Sequence, residues 1–205
     1  ALIQKPFGRD HTEAQALGAV LAERQIAAAV NFQMRLTPSM VALDAALARG
    51  LFGEVVEIEV RLNTRTPWED WPFMEALDAI EIPLHSIHYL DWIRATVGMP
   101  TRAYARAVPH PACPRLADAR SSIILDYGAR LRCCLSLNHT HRFGARHEAA
   151  TLRVEGTRGA GLVGLGYNIH LPEGAPETLE MITEGGSWQP VALQGARMPD
   201  AFAAI

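Results

Sequence analysis

Apolar and polar positions follow one rhythm up to about residue 50 and another after it. Ala1, Leu2 and Ile3 form an apolar run closed by Gln4, Lys5 and Pro6, the pattern of a short buried strand. Asp10 with Glu13 three residues on is a capping-box signature, and Ala14, Leu17, Val20 and Leu21 then recur at helical spacing to about Arg24. A second apolar run, Ile26 to Phe32, predicts another buried strand. Thr37 before Pro38 marks a helix start, Met40, Leu43, Ala46 and Leu47 carry its apolar face, and Gly50 stops it. Strand, helix, strand, helix at this spacing is the order of an α/β unit.

From Gly53 the rhythm changes. Val55 to Leu62 alternates apolar with charged residues, which suits a sheet with one wet face. A loop rich in Trp and Pro follows, Pro67-Trp68-Glu69-Asp70-Trp71-Pro72, and Leu84 to Val97 reads as a helix stopped at Gly98. Strands are expected over about 100–108, 119–127, 130–140, 149–156, 160–170, 177–183 and 188–194. The fold class is therefore α+β: a large, mostly antiparallel sheet with helices on one face, preceded by the strand–helix units of a parallel α/β fold. Ile123, Leu125, Leu135, Leu137 and Trp188 are expected to divide between the two sides of that sheet.

Composition narrows the function without naming it. The 205 residues are 49% hydrophobic and 20% charged, ordinary for a globular chain. A net charge of −3, with Lys and Arg scattered, favours neither nucleic acid nor an anionic membrane surface. Apolar runs stay well short of the roughly 20 residues that span a bilayer. Cys113, Cys133 and Cys134, odd in number and two of them adjacent, do not form a disulfide framework, and a reduced, cytoplasmic setting is expected.

Candidate chemistry sits in four places. Lys5 lies at the C-terminal end of a strand, where open α/β sheets gather their ligands, and a lysine whose pKa is lowered there can hold a hydroxyl and move its proton. Glu81, His85 and His88 are spaced to share a helical face, the equipment of proton transfer near neutral pH; the plain alternative is a polar helix start. No metalloprotease-type spacing is present, so no metal is assigned, although a metal-dependent site on His85, His88 and His139 stays open as a rival. Asn138-His139-Thr140-His141-Arg142 ends a strand and puts His139 and His141 on one face, suited to a polyhydroxylated substrate or simply to solvent. Gly159 to Gly164 matches G-x-G-x-x-G, but no helix follows it to hold a pyrophosphate, so it reads as a turn and strand.

Taken in order, these stretches resemble the Gfo/Idh/MocA oxidoreductases, the family of glucose-fructose oxidoreductase and inositol dehydrogenase. Gln4-Lys5-Pro6 is similar to the family's Glu-Lys-Pro. Asn31 to Pro38, with Arg35, resembles its "N..R..P" segment, and Gly50-Leu51-Phe52-Gly53-Glu54-Val55 its "G.lG.i" start of the large sheet. His88-Tyr89-Leu90-Asp91-Trp92 followed by Gly98-Met99-Pro100 resembles its "H..D…G.P" helix, and Glu155-Gly156-Thr157-Arg158-Gly159 its "EGt.G" hairpin.

The resemblance implies a nicotinamide enzyme, using NAD or NADP, that removes hydride from a sugar, polyol, cyclitol or sugar acid. Lys5 and His88 would be its catalytic pair, with Lys5 and Pro6 beside the cofactor. Arg35, Trp68, Glu81, His85, His139 and His141 would be its substrate-binding candidates. It implies that residues 1–36 end a Rossmann domain and that 37–205 form a substrate-binding and dimerisation domain truncated at its C-terminus. The first strands and the Gly-rich loop would lie outside the chain, leaving it inactive alone. A homodimer or homotetramer through the large sheet is expected. Two departures stand out: Leu84 occupies the position where the family often has an aspartate, and Gln4 replaces the usual glutamate. A non-catalytic relative that binds a sugar or a protein is the alternative reading.

Overall fold

In a computed structural model that describes residues 1–171 and 173–193, the chain builds two sheets. Strand β1 (Leu2–Ile3) pairs in parallel with β2 (Ala29–Val30), and helix α1 (His11–Glu23) crosses between them. The Asp10 side chain accepts the Glu13 amide at 2.8 Å, and Glu13 takes the Arg9 amide at 2.5 Å, so the N-terminus of α1 is capped as its sequence predicts. None of its residues is buried. The run expected as a strand from Ile26 to Phe32 pairs only at its centre, and a 3₁₀ turn, Gln33–Leu36, follows.

Helix α2 (Pro38–Ala48) starts at the expected residue for a different reason. The Thr37 hydroxyl turns back to donate to the Met34 carbonyl at 3.0 Å. The free amide of Ser39 instead meets the carboxylate of Glu177, at 3.2 Å, and the Ser39 hydroxyl donates to the same oxygen. A buried anion from 138 residues downstream therefore does the work assigned to a local cap, placed where the helix dipole favours it.

The second sheet has eight strands: β3 (Val55–Asn63), β4 (Arg102–Val108), β5 (Arg120–Asp126), β6 (Arg132–Asn138), β7 (Ala149–Gly156), β8 (Gly159–Gly164), β9 (Thr178–Thr183) and β10 (Gln189–Pro190). Their order is β10-β9-β8-β7-β3-β6-β5-β4. Every pairing is antiparallel except β3 with β6, at the centre. Residues 165–170, expected to prolong β8, form a 3₁₀ turn at Gly166–Asn168, and the strand expected over 188–194 is short; residue 194 lies outside the described residues.

Strict alternation sorts the faces. Ile58, Val60 and Leu62 of β3, Leu135 and Leu137 of β6, and Leu152 and Val154 of β7 point to one side. There they meet Met40 and Leu43 of α2, Phe52, and Trp92 and Ile93 of α3 (Ile87–Val97). Trp92 also donates its indole N–H to Asp44 at 2.8 Å, tying α3 to α2. Ile123, Leu125, Leu135 and Leu137 all lie on this covered side rather than on both: 123 and 125 share one parity, and Ile123 pairs with Leu135. Trp188 lies just ahead of β10, outside any strand, and is 40% exposed. Among the described residues nothing covers the opposite face, where Tyr104 and Ile124 stand among charged residues and Arg132 is bonded to Glu57 at 2.6 Å. No helix among the described residues is long and apolar enough to cross a membrane, and the three cysteines are free.

The Gly159–Gly164 run is a strand because its backbone must come close to the covering layer. A Cβ on Gly159 would stand 3.0 Å from the Phe52 ring, besides 2.5 Å from the Ile182 carbonyl oxygen of the neighbouring β9, and one on Gly161 would stand 2.8 Å from Leu43 Cδ1 and 3.2 Å from the Phe52 ring. Those glycines serve packing, not phosphate. Gly161→Ala should therefore lower stability by about 1–3 kcal/mol through overpacking, read as a fall in the urea midpoint at unchanged slope. A neutral result would mean that Leu43 and Phe52 yield freely.

Candidate active site

Below the C-terminal end of β1, a cavity of about 300 Å³ opens between the two sheets. Lys5 enters it directly after β1, with the Lys5–Pro6 peptide cis, and its ammonium donates to the Leu84 carbonyl. Burial lowers the Lys5 pKa from its ordinary value. His88 reaches the same cavity from the first turn of α3, His85 from the turn just ahead of it, and His139 from just past the end of β6.

The helix expected from Leu84 begins at Ile87; Glu81–Ser86 ahead of it winds as a π-helix around Pro83, which has no N–H to give. The wider turn moves the side chains off the spacing of an α-helix. Glu81 is turned inward, fully buried, and both of its oxygens accept from the Ser86 hydroxyl five residues on, at 2.8 and 2.9 Å. Its other neighbour is His139, not His85: Oε1 lies 3.5 Å from Nε2. On its far side His139 Nδ1 is 3.1 Å from the Thr66 hydroxyl. The rings of His85 and His139 lie 4.4 Å apart between centroids.

Electrostatics follow from crowding. Burial, then the neighbouring Lys5, pushes His88 down to about 4. Burial pushes His85 well below its ordinary value, helped by His139, Lys5 and His88. Both imidazoles are therefore neutral at neutral pH. Burial, with Glu81 nearby, also raises the Tyr89 phenol, whose oxygen accepts from Asn168 Nδ2 at 3.2 Å. Nδ1 of His85, Nδ1 of His88, Nε2 of His139 and Oε1 of Gln33 are buried without a hydrogen-bond partner, and all four residues line the cavity. Buried polar atoms left unpaired on a cavity wall are the mark of a place that receives polar groups.

Of the residues singled out from sequence, the structure brings Lys5, His85, His88 and His139 to this wall. Glu81 and Trp68 stand one layer behind it, Trp68 with its ring edge-on to His85 at 5.6 Å between centroids. Arg35 is 43% exposed and pairs with Asp91 at 3.4 Å, tying the 3₁₀ turn to α3. His141 bonds to the Gly144 carbonyl at 3.0 Å, away from the wall, and Pro6 is not part of the lining. Gln33, Trp71, Tyr89, Tyr167 and Asn168 line the cavity without having been foreseen. The Trp–Pro loop was the one signal for Trp71; Tyr167 and Asn168 fell in a stretch that reads as strand. Among the described residues no group of three His, Cys, Asp or Glu side chains is placed to hold a metal ion.

The fold has many solved counterparts. An oxidoreductase from Agrobacterium radiobacter, solved with NAD+, L-tartaric acid and magnesium, superposes on all of this chain at a TM-score of 0.81 and 20% identity, with 60% of its own length covered. An inositol dehydrogenase homolog from Azotobacter vinelandii, solved with NADH and myo-inositol, gives 0.75 at 14% identity over 98% of this chain and 52% of its own. UDP-N-acetylglucosamine 3-dehydrogenase from Acidithiobacillus ferrooxidans gives 0.71 at 20% identity over 99% and 59%. The chain thus spans between half and two thirds of the length of these structures. Comparison with curated protein sequences finds no match. Residues 40–161, which run from α2 into β8, match the family model for the GFO/IDH/MocA C-terminal domain. With more than half of its length in that match and the same fold around it, the chain belongs to the GFO/IDH/MocA family of oxidoreductases.

Proposed function

We propose that this chain forms the substrate side of an NAD(P)-dependent oxidoreductase that takes hydride from a hydroxyl-bearing carbon of a sugar, polyol or cyclitol. The observation that carries the reading is the convergence of Lys5 and His88, from two separate elements, on one cavity whose buried polar atoms lack partners. The wall also fits a nicotinamide. Met34, Trp71 and Met74 give it apolar surface, and the unpaired Gln33 Oε1 suits an amide N–H. Gln33 and the apolar wall beside it would hold the ring, and a bound nicotinamide would supply the hydride acceptor.

This chain's own part is to orient the alcohol and receive its proton. Lys5 Nζ and the imidazole of His88 bind the reacting hydroxyl or its neighbour, and one of them takes the proton as hydride leaves. Both have lowered pKa values, so an unprotonated acceptor is accessible without strongly basic conditions. His85 and Asn168 offer further contacts to neighbouring hydroxyls.

The small parallel unit, residues 1–36, is read as the end of a dinucleotide-binding domain, and residues from 37 on as the substrate domain. The open face of the large sheet, with Tyr104 64% and Ile124 55% exposed, is read as the face that pairs with a second copy. A stable pair would bury at least roughly 1,000 Å² there. Light scattering on the complete protein should therefore report a dimer or tetramer; a strict monomer would count against this assignment.

Lys5→Ala and His88→Ala in the complete protein should each lower kcat by about 10²- to 10⁴-fold while cofactor binding changes little. Turnover that survives both substitutions would remove the proposed mechanism.

The neutral state of His88 also has a thermodynamic consequence. Its folded pKa of about 4 lies below its ordinary 6.5, so between those values the unfolded chain binds more protons. Its contribution is complete above about pH 6.5 and is lost as pH falls towards 4, at most on the order of 3 kcal/mol. Denaturant unfolding at pH 7 and pH 4.5 should show a smaller drop for His88→Asn than for the wild type. Equal drops would mean that His88 titrates normally.

A further inference from the structure

Glu81 has no exposed surface and lies one ring behind the cavity wall. Its surroundings are specific. Ser86 donates to both oxygens, and the Ser121 hydroxyl stands 3.5 Å behind Ser86. His139 Nε2 lies 3.5 Å from Oε1. The Tyr89 phenol is near enough for Glu81 to oppose its ionisation. Of the other two buried carboxylates, Asp118 is occupied by the backbone amides of Ile80 and Glu81 at 3.2 and 2.6 Å, and Glu177 is bonded to Ser39 at the start of α2. Glu81 is thus the carboxylate within reach of an imidazole nitrogen of this wall.

The wall itself gathers four basic groups, Lys5, His85, His88 and His139, and no acid. They repel one another's protons: Lys5 acts against His88, and Lys5, His88 and His139 all act against His85. Removing a hydroxyl proton from a substrate adds one more positive charge to this group. In a site that excludes water such a charge is costly unless an anion stands close.

The geometry points to Glu81 as the counter-charge of this basic cluster, a positioning residue that acts through His139 and sets how readily the cavity holds a proton. The inference rests on the oxidoreductase reading given above. In the oxidation, the substrate C–H bond breaks with its electron pair passing to the nicotinamide. The O–H bond breaks with its proton passing to a basic group of the wall, and the carbonyl product remains. The carboxylate of Glu81 stabilises the cluster after that proton arrives. His139 lies between the anion and His85, with Thr66 on its other nitrogen and its ring against His85, so the effect reaches the cavity through a fixed imidazole.

Glu81→Gln in the complete protein is the test, because it keeps the size of the side chain and a partner for Ser86 but removes the charge. The expected result is a fall in kcat of at least about tenfold, with KM changed by less than about threefold. The acidic limb of the kcat profile should also move to lower pH, because without the anion the cluster binds protons less well. With neither cofactor nor substrate present, the Cε1–H resonances of His85 and His88 should titrate at lower pH in the variant. Glu81→Asp serves if Glu81→Gln does not fold; the shorter side chain draws the charge away from His139 and should shift the limb the same way, by less. A fall in kcat with limb and resonances unmoved, as altered packing alone would give, overturns the inference. So does unchanged behaviour in both variants while Lys5→Ala and His88→Ala still abolish turnover. If those two leave turnover intact, the oxidoreductase reading itself is what fails.

Discussion

The parallel pairing of β3 with β6 is the constraint on which the site depends. Parallel strands leave a sheet at the same end, so the segments that follow them run on side by side. Asn63 faces Asn138 in the last register pair, and Asn138 Nδ2 donates to Asn63 Oδ1 at 2.8 Å. The two chains stay joined past the sheet: the Thr64 amide meets the Asn138 carbonyl at 2.9 Å and the Thr66 amide the His139 carbonyl at 3.1 Å. That extension sets Thr66 against His139 and fixes the imidazole before any ligand arrives. An antiparallel neighbour at this position would have sent the two segments to opposite ends of the sheet.

The second half of the site is set by the irregular approach to α3. A regular helix through 81–88 would have offered Glu81 and His85 to each other along one face. Pro83 and the π-turn instead bury the carboxylate and leave both histidines on the cavity wall. The polar network therefore joins residues far apart in sequence: Lys5 to Leu84, Glu81 to His139, Tyr89 to Asn168. Each of these joins an element of one layer to an element of another, which is why the cavity lies between layers rather than within either.

The strands were legible in the sequence because period-two alternation is a local signal, and Ile58-Val60-Leu62 shows it without any partner. Capping of α1 by Asp10 was legible for the same reason. Capping of α2 was not, since Glu177 arrives from a loop that no local pattern connects to Thr37. Among the residues that line the cavity, Lys5 and His88 were singled out by position at a strand end and by family resemblance. Gln33, Tyr167 and Asn168 sit in turns, where neither period nor motif marks them. Arg35 shows the opposite failure: an arginine in a recognisable segment turns out to pair with Asp91 at the surface.

The ammonium of Lys5 is not idle in this structure. It is bonded to the carbonyl of Leu84, a bond that bridges the small sheet unit and the approach to α3. An ammonium carries three N–H donors, so the Leu84 carbonyl fills one and sets the direction of the other two. On the reading proposed above, a hydroxyl arriving at Lys5 would meet a donor already aimed by the backbone, with no bond to be broken first.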